Sequence, residues 1–323
     1  MKKTFKILGT IFGVIVLALA GLISWVSLSF PKVSEPEQIK VELTPMNIEH
    51  GKYLAQSVLV CMDCHSTRDW SKYSGPLVPN TLGLGGEVFS AADGFPGDFS
   101  AKNLTPSHLK DWSDGEILRA MAAGVNKKGQ ALFPVMPWHN YGKMDKSDML
   151  AVIAYLRTLP ALENNSIPES KAKFPFSLIL KTLPHDPQYK ARPKNTDTLA
   201  YGEYLTTAAS CNDCHTQQNK GKPLEGMGFA GGFKFNLKSG GKAVSANITP
   251  DKNTGIGNWT SQQFIGRFKA YNAKMPDVQK NQPNTVMPWT MYASMTDEDL
   301  NAIYVYLKSL KPIDNKVTHF ISE

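Results

Sequence analysis

Cysteine is scarce in this chain, with four residues in 323. All four fall in two short motifs, Cys61-Met-Asp-Cys64-His65 and Cys211-Asn-Asp-Cys214-His215, so no disulfide framework can be drawn that spares both. Other absences narrow the reading further. The formal net charge is +7, but no basic stripe with interleaved aromatics accompanies it, which argues against a nucleic-acid partner. Lys2, Lys3 and Lys6 alone supply three of those charges; the weakly basic second half would suit an acidic redox partner or simply a solvated surface. No strand-like alternation of any length appears, and the composition is neither disordered nor fibrous. The histidines outside the two motifs, at 50, 108, 139, 185 and 319, do not repeat between the halves, so bis-histidine coordination lacks a candidate pair.

C-x-x-C-H is the attachment signature of c-type haem: two thioethers to the porphyrin and an adjacent imidazole as an axial iron ligand. One helical turn separates the sulfurs, and the next residue brings its imidazole over the iron. A pair of redox or zinc C-x-x-C motifs is the plainer alternative, but two copies 150 positions apart in matching contexts favour haem. The expected cofactor is haem c, two per chain and covalent, with Cys61, Cys64, His65, Cys211, Cys214 and His215 as attachment residues.

The stretch Ile7 to Phe30 carries no charge over 24 residues and is stopped by Pro31. That is long enough to span a bilayer with some tilt. Ala18-Leu19-Ala20 could serve as a signal-peptidase site, but Leu22, Ile23, Trp25, Val26 and Leu28 extend the apolar run beyond it. An uncleaved signal-anchor is therefore favoured over cleavage to a soluble periplasmic form. The flanking lysines mark the cytoplasmic side, which puts the rest of the chain on the periplasmic face of a bacterial inner membrane.

The two halves align along their length. Gly51-Lys-Tyr53-Leu54 matches Gly202-Glu-Tyr204-Leu205, Pro76-Leu77 matches Pro223-Leu224, and Gly85-Gly86 matches Gly231-Gly232. Asn103-Leu-Thr105-Pro106 matches Asn247-Ile-Thr249-Pro250, Trp112 matches Trp259, and Met136-Pro137-Trp138 with Tyr141 matches Met287-Pro288-Trp289 with Tyr292. The division expected is a transmembrane signal-anchor at 1–30, a linker at 31–46, a first unit at 47–165, a Pro- and Lys-rich linker at 166–196, a second unit at 197–313 and a tail at 314–323. Each unit reads as helical with long loops: first helices at about 47–60 and 197–210, a capped helix from Ser113 to about Ala123, and last helices at about 146–159 and 297–309. Gly51 and Gly202 would let the first and last helices of each unit approach closely. The fold class expected is all-α, two tandem haem domains behind an N-terminal transmembrane helix.

His65 and His215 are the expected proximal ligands, and a ligating imidazole donates its other N–H to an acceptor. The Pro76 and Pro223 carbonyls are the expected acceptors, unless these are ordinary turn prolines. For the sixth ligand two methionine pairs repeat. Met144 and Met295 precede helix caps, where a hydrophobic staple accounts for them. Met136 and Met287 lie in extended M-P-W loops, where the proline biases the methionine toward extended backbone, and these are the expected axial ligands. Trp138, Tyr141, Trp289 and Tyr292 would line the haem pocket, their polar tips available to propionates. Asn103 and Asn247, with Thr105 and Thr249, would either donate to propionates or serve turn chemistry. Arg119 and Arg267 fall out of register and receive no role.

The run C-N-D-C-H-T, then N-I-T-P-D-K-N-T-G-I-G-N-W-T from Asn247 to Thr260, then M-P-W and M-T-D-E-D-L from Met295 to Leu300, resembles the cytochrome c subunits of membrane-bound bacterial alcohol and gluconate dehydrogenases and their dihaem relatives. The resemblance covers most of residues 47–313. It implies an all-α chain of two tandem class I cytochrome c domains with covalent haem, and electron passage from a periplasmic dehydrogenase toward the respiratory chain; the expected partners are a dehydrogenase subunit, other cytochromes or a terminal oxidase, and the expected role is that of a non-catalytic electron carrier. Those subunits typically carry three C-x-x-C-H motifs and this chain has two. A dihaem cytochrome c peroxidase or a haem-based sensor subunit is the alternative; both need an open iron, against which the matched M-P-W loops argue.

Overall fold

A computed structural model describes residues 2–219, 221–272 and 274–322. Helix α1, Lys2–Ser29, stands apart as a long apolar rod whose side chains are exposed almost throughout. The first half then runs through α2 (Pro45–Tyr53), a π turn at Leu54–Val58, α3 (Cys61–Cys64), α4 (Pro106–Leu109), α5 (Asp114–Ala123), α6 (Trp138–Tyr141) and α7 (Lys146–Arg157). Helix α8, Phe176–Lys181, lies between the halves. The second half repeats the order with α9 (Thr198–Ala208), α10 (Cys211–Cys214), α11 (Ser261–Lys269), α12 (Trp289–Tyr292) and α13 (Asp297–Ser309).

Local signals start these helices. Thr44 accepts from the Asn47 N–H ahead of Pro45, which has no N–H to satisfy. Ser113 and Glu116 close a capping box on α5, and Thr260 and Gln263 close one on α11. Asp145 caps α7 and Thr296 caps α13. In each half the first helix packs on the last, α2 on α7 and α9 on α13. Glycine makes this approach possible: a Cβ on Gly51 would overlap the Ala151 carbonyl, and one on Gly202 the Ala302 carbonyl. The buried apolar residues form one cluster that runs through both halves, from Leu54, Met62, Met149 and Ile153 to Leu205, Phe264, Met295 and Ile303.

The structure departs from the purely helical expectation in two ways. Short strands are present: β1 (Val88–Phe89), β2 (Gly97–Ser100) and β3 (Lys171–Ala172) form one antiparallel sheet, β4 (Gln218–Asn219) pairs with β5 (Lys222–Pro223), and β6 (Lys234–Asn236), β7 (Lys242–Val244) and β8 (Phe320–Ile321) form another. At two to four residues each, they are too short to imprint an alternation on the sequence. The segments read as linkers and tail are also built into the fold. Val41 N–H donates to Asp114 at 2.8 Å, Gln188 N–H to the Gly142 carbonyl at 2.7 Å, and Asn315 N–H to Thr254 at 3.0 Å.

The halves meet through a reciprocal clasp. Tyr53 Oη donates to Asp299 at 2.5 Å and accepts from Thr296 N–H; Tyr204 Oη donates to Asp148 at 2.5 Å and accepts from Asp145 N–H. Each tyrosine on a first helix thus seals the N-terminus of the other half's last helix. Burial, reinforced by the facing carboxylate, raises both hydroxyl pKa values well above the ordinary tyrosine range.

Candidate haem sites

Each C-x-x-C turn begins with a break in the chain direction. Val60 (φ 47°) and Ser210 (φ 54°) occupy the left-handed region directly before Cys61 and Cys211. For Val60, β-branched, this conformation is costly, and it recurs at the same place in both halves. The following single turn of helix places both thiols and then the imidazole. Burial pushes the thiols of Cys61, Cys211 and Cys214 up to about 12 and Cys64 higher still. All four residues nevertheless keep accessible surface, while Met62 and Asp63 between the first two cysteines are buried.

The imidazoles are fixed the same way twice. His65 Nδ1 pairs with the Lys102 carbonyl at 2.6 Å, and His215 Nδ1 with the Ala246 carbonyl at 2.8 Å. Since a carbonyl only accepts, Nδ1 carries the proton and Nε2 keeps a lone pair, the tautomer in which an imidazole can coordinate a metal. Burial lowers both histidine pKa values, which keeps the rings neutral and able to bind a metal. Gly85 N–H donates to the His65 carbonyl at 2.9 Å and Gly231 N–H to the His215 carbonyl at 2.7 Å.

These acceptors correct the expectation about prolines. The Pro76 carbonyl accepts instead from Asp69 N–H at 2.9 Å, and Pro223 lies exposed in β5. The reason is tertiary: the chain returns past the histidine at Lys102 and Ala246, one residue before the Asn-x-Thr-Pro turns. Those asparagines are committed elsewhere too. Asn103 Nδ2 donates to the Leu162 carbonyl at 2.7 Å, and Asn247 Nδ2 to the Ile313 carbonyl at 2.7 Å. Their Oδ1 atoms accept from Thr105 and Thr249 N–H. Each asparagine is buried, and the bonds it makes are those of turn chemistry.

The M-P-W loops are tied to the attachment turns by tyrosine. Tyr141 Oη donates to the Leu59 carbonyl and Tyr292 Oη to the Ala209 carbonyl, both at 2.8 Å, just upstream of Cys61 and Cys211. Trp138 Nε1 donates to the Leu132 carbonyl at 3.1 Å, whereas Trp289 stacks on Tyr271 with centroids 4.8 Å apart. The tips of Tyr141, Tyr292 and Trp138 are thus spent on backbone carbonyls rather than available to propionates. Met136 and Met287 sit partly exposed at the edge of the core, while Met144 and Met295 are each 1% exposed inside it. The first pair thus keeps accessible surface that the second lacks.

The donor set fits haem c better than a zinc ion. Among the described residues no group of three or more His, Cys, Asp or Glu is placed to hold a metal. Two thiols on one turn and a neutral, oriented imidazole are the protein's share of a covalent haem site. Sequence reading missed Val60, Ser210, Lys102 and Ala246, because backbone conformation and backbone carbonyls leave little trace in residue type. It also missed Arg68, whose guanidinium pairs with Asp63 at 2.7 Å with both side chains almost fully buried. Burial still pushes the Asp63 carboxyl up to about 6 against the pull of Arg68.

The fold is mostly helical, with cysteine, histidine and methionine disposed alike in its two halves. Residues 199–311 match the family model described as cytochrome c. Among curated proteins, the chain is 26% identical to the alcohol dehydrogenase (quinone) cytochrome c subunit of Gluconacetobacter polyoxogenes, over 82% of this chain and 56% of the relative. It is 25% identical to the gluconate 2-dehydrogenase cytochrome c subunit of Pantoea cypripedii, over 85% of this chain and 62% of the relative. A dihaem c-type cytochrome of Cereibacter sphaeroides is 26% identical over 79% of this chain and 83% of the relative. The chain thus spans little more than half the length of the dehydrogenase subunits, but most of the dihaem cytochrome.

Proposed function

We propose that this chain is a membrane-anchored dihaem cytochrome c that carries electrons between a dehydrogenase or quinol-linked donor and the respiratory chain. Residues 47–165 and 197–313 act as two tandem cytochrome c domains on the periplasmic side of a bacterial inner membrane, and α1 is the anchor. The observation that carries this reading is the repetition of the site bonds in both halves: imidazole to carbonyl, Gly-Gly amide to histidine carbonyl, tyrosine of the M-P-W loop to the turn before the first cysteine. The similarity to dehydrogenase cytochrome subunits supports a dehydrogenase partner.

Cys61, Cys64 and His65 would hold one haem and Cys211, Cys214 and His215 the other, with Met136 and Met287 as sixth ligands. Haem c, when bound, supplies a reversible one-electron couple, and a thioether ligand raises its potential. The Lys102 and Ala246 carbonyls orient the imidazoles and increase their basicity. Pro137 and Pro288 stiffen the loops that present the thioethers, and Tyr141 and Tyr292 hold those loops against the attachment turns. With His65 and Met136 holding one haem and His215 and Met287 the other, the sites would pass electrons and exclude small ligands, which is the behaviour of a carrier.

The test is spectroscopic. The holoprotein should show two haems per chain by pyridine haemochrome after acid-acetone extraction, and no carbon monoxide binding when reduced. Met136→Ala and Met287→Ala should each halve the near-infrared sulfur-to-iron charge-transfer band, each gain carbon monoxide binding, and together abolish the band. One haem per chain would reject the second site. Carbon monoxide binding by the unaltered protein would favour a peroxidase or sensor instead.

A further inference from the structure

Helix α8 and the residues before it carry an apolar face turned away from the protein. Phe174 is 73% exposed and Ile179 51% exposed, with Pro175 exposed between them. The opposite face is anchored in the first half: Leu180 is buried, Phe176 packs edge-on to Phe133 at 5.8 Å, and β3 just upstream pairs with β2. Such an arrangement inverts the usual amphipathic order of a surface helix, whose outward side is polar.

What lies beside this face is the end of α1. Helix α8 packs against α1, and Lys181 Nζ donates to the Ser27 carbonyl at 3.1 Å. Just beyond the helix, Ser34 N–H and Oγ donate to the two carboxylate oxygens of Asp186 at 2.7 and 2.9 Å. The exit of α1 is therefore held at two points. A hydrocarbon core of about 30 Å takes roughly 20 helical residues. Counted from Ile7, that length ends near Val26, so Trp25, Leu28 and the Lys181–Ser27 contact fall at the membrane–water boundary. Trp25 and Leu28 are themselves 57% and 87% exposed. Lys171 and Lys173 are exposed on the approach to Phe174, with cationic heads suited to anionic headgroups.

We propose that residues 171–181 dock on the bilayer surface beside the anchor, with Phe174 and Ile179 inserted in the lipid interface and the lysines at its phosphates. The partner is the lipid itself. Phe133 lies three residues before Met136 and stacks on Phe99 with centroids 4.0 Å apart. The docked face is thus rigidly connected to the first methionine loop, and the first site is held in a set pose over the membrane instead of swinging on a tether. This inference rests on the anchor reading of α1.

The test uses full-length holoprotein in nanodiscs of phosphatidylethanolamine and phosphatidylglycerol. Ile179→Cys, and separately Phe174→Cys, would carry a nitroxide label; the native cysteines are consumed as thioethers and leave one reactive thiol. Power saturation compares accessibility to lipid-soluble oxygen with that to an aqueous nickel chelate. The oxygen-to-nickel ratio should exceed that of a nitroxide free in buffer by at least about threefold at both positions. An aqueous ratio at both, in protein that carbonate washing leaves in native membranes, overturns the docking and leaves the anchor standing. Release of the unlabelled protein by carbonate overturns the anchor and the docking together.

Discussion

In the first half the attachment turn is sealed: Met62 is fully buried, and Asp63 lies under Arg68, which also donates to the carbonyls of Ser74 and Gly75. In the second half the equivalent turn has no fully buried residue, Asn212 is exposed, and Gln218 stands where Arg68 does, donating to the Asp213 backbone. Asp213 is met instead from the first half, by His139 at 3.0 Å and Asn140 at 2.9 Å. The reverse reach uses different chemistry: Ser74 donates to the Met287 carbonyl at 2.6 Å and accepts from Trp289 N–H. The bonds that orient histidine and tether the methionine loop are the same in both halves, and the bonds around them are not. Ligand geometry tolerates little variation, whereas the seal around a cleft can be made by any group that excludes or admits solvent.

If the halves are equivalent where helices cross, Gly51→Val and Gly202→Val should cost about the same, roughly 4 kcal/mol or more, because each Cβ meets a backbone carbonyl of the partner helix that cannot move aside. Loss of one haem per chain in each variant, measured by pyridine haemochrome, would check this; loss in only one variant would break the equivalence. Met144→Ala and Met295→Ala should each destabilise by about 3 kcal/mol through a buried cavity while leaving the near-infrared band intact. A lost band would transfer the ligand role to these residues.

The clasp should show the halves to be unequal. Asp148 also accepts from Arg192 at 2.7 Å and pairs with His50 at 2.7 Å, whereas at Asp299 the tyrosine is the interhalf partner. Asp148→Ala strands more groups and should cost about 3 kcal/mol, against about 1.5 kcal/mol for Asp299→Ala, read from urea midpoints. Equal values would show that Arg192 and His50 contribute nothing. The smallest effect expected is at the turns: Asn103→Ala and Asn247→Ala should each cost about 1 kcal/mol and leave both reduction potentials unchanged, since each side chain bonds a backbone carbonyl of its own half. A shifted potential in voltammetry would restore their place in the haem pocket.

Much of this was legible in residue order. The expected last helices at 146–159 and 297–309 compare with α7 at Lys146–Arg157 and α13 at Asp297–Ser309, because caps and apolar spacing are local signals. The close helix crossing at Gly51 and Gly202 was legible for the same reason, since a missing Cβ is visible in a sequence. The π turn at Leu54–Val58 was not, since the matching stretch of α9 continues as ordinary helix. Nor were the short strands that bring in the linker and tail, whose partners lie far along the chain.

By itself the sequence determined the chemistry of the sites: four thiols, two histidines beside them, repeated methionine loops, and an uncharged run long enough to cross a bilayer. These follow from residue type and spacing, which act over one or two helical turns. Tertiary structure decided which carbonyls orient the imidazoles, that Asn103 and Asn247 bond within turns, that Tyr53 and Tyr204 clasp opposite halves, and that α8 packs beside α1. Those choices depend on which backbone segments return past one another, and a hydrogen bond to a carbonyl asks for position rather than for any particular side chain.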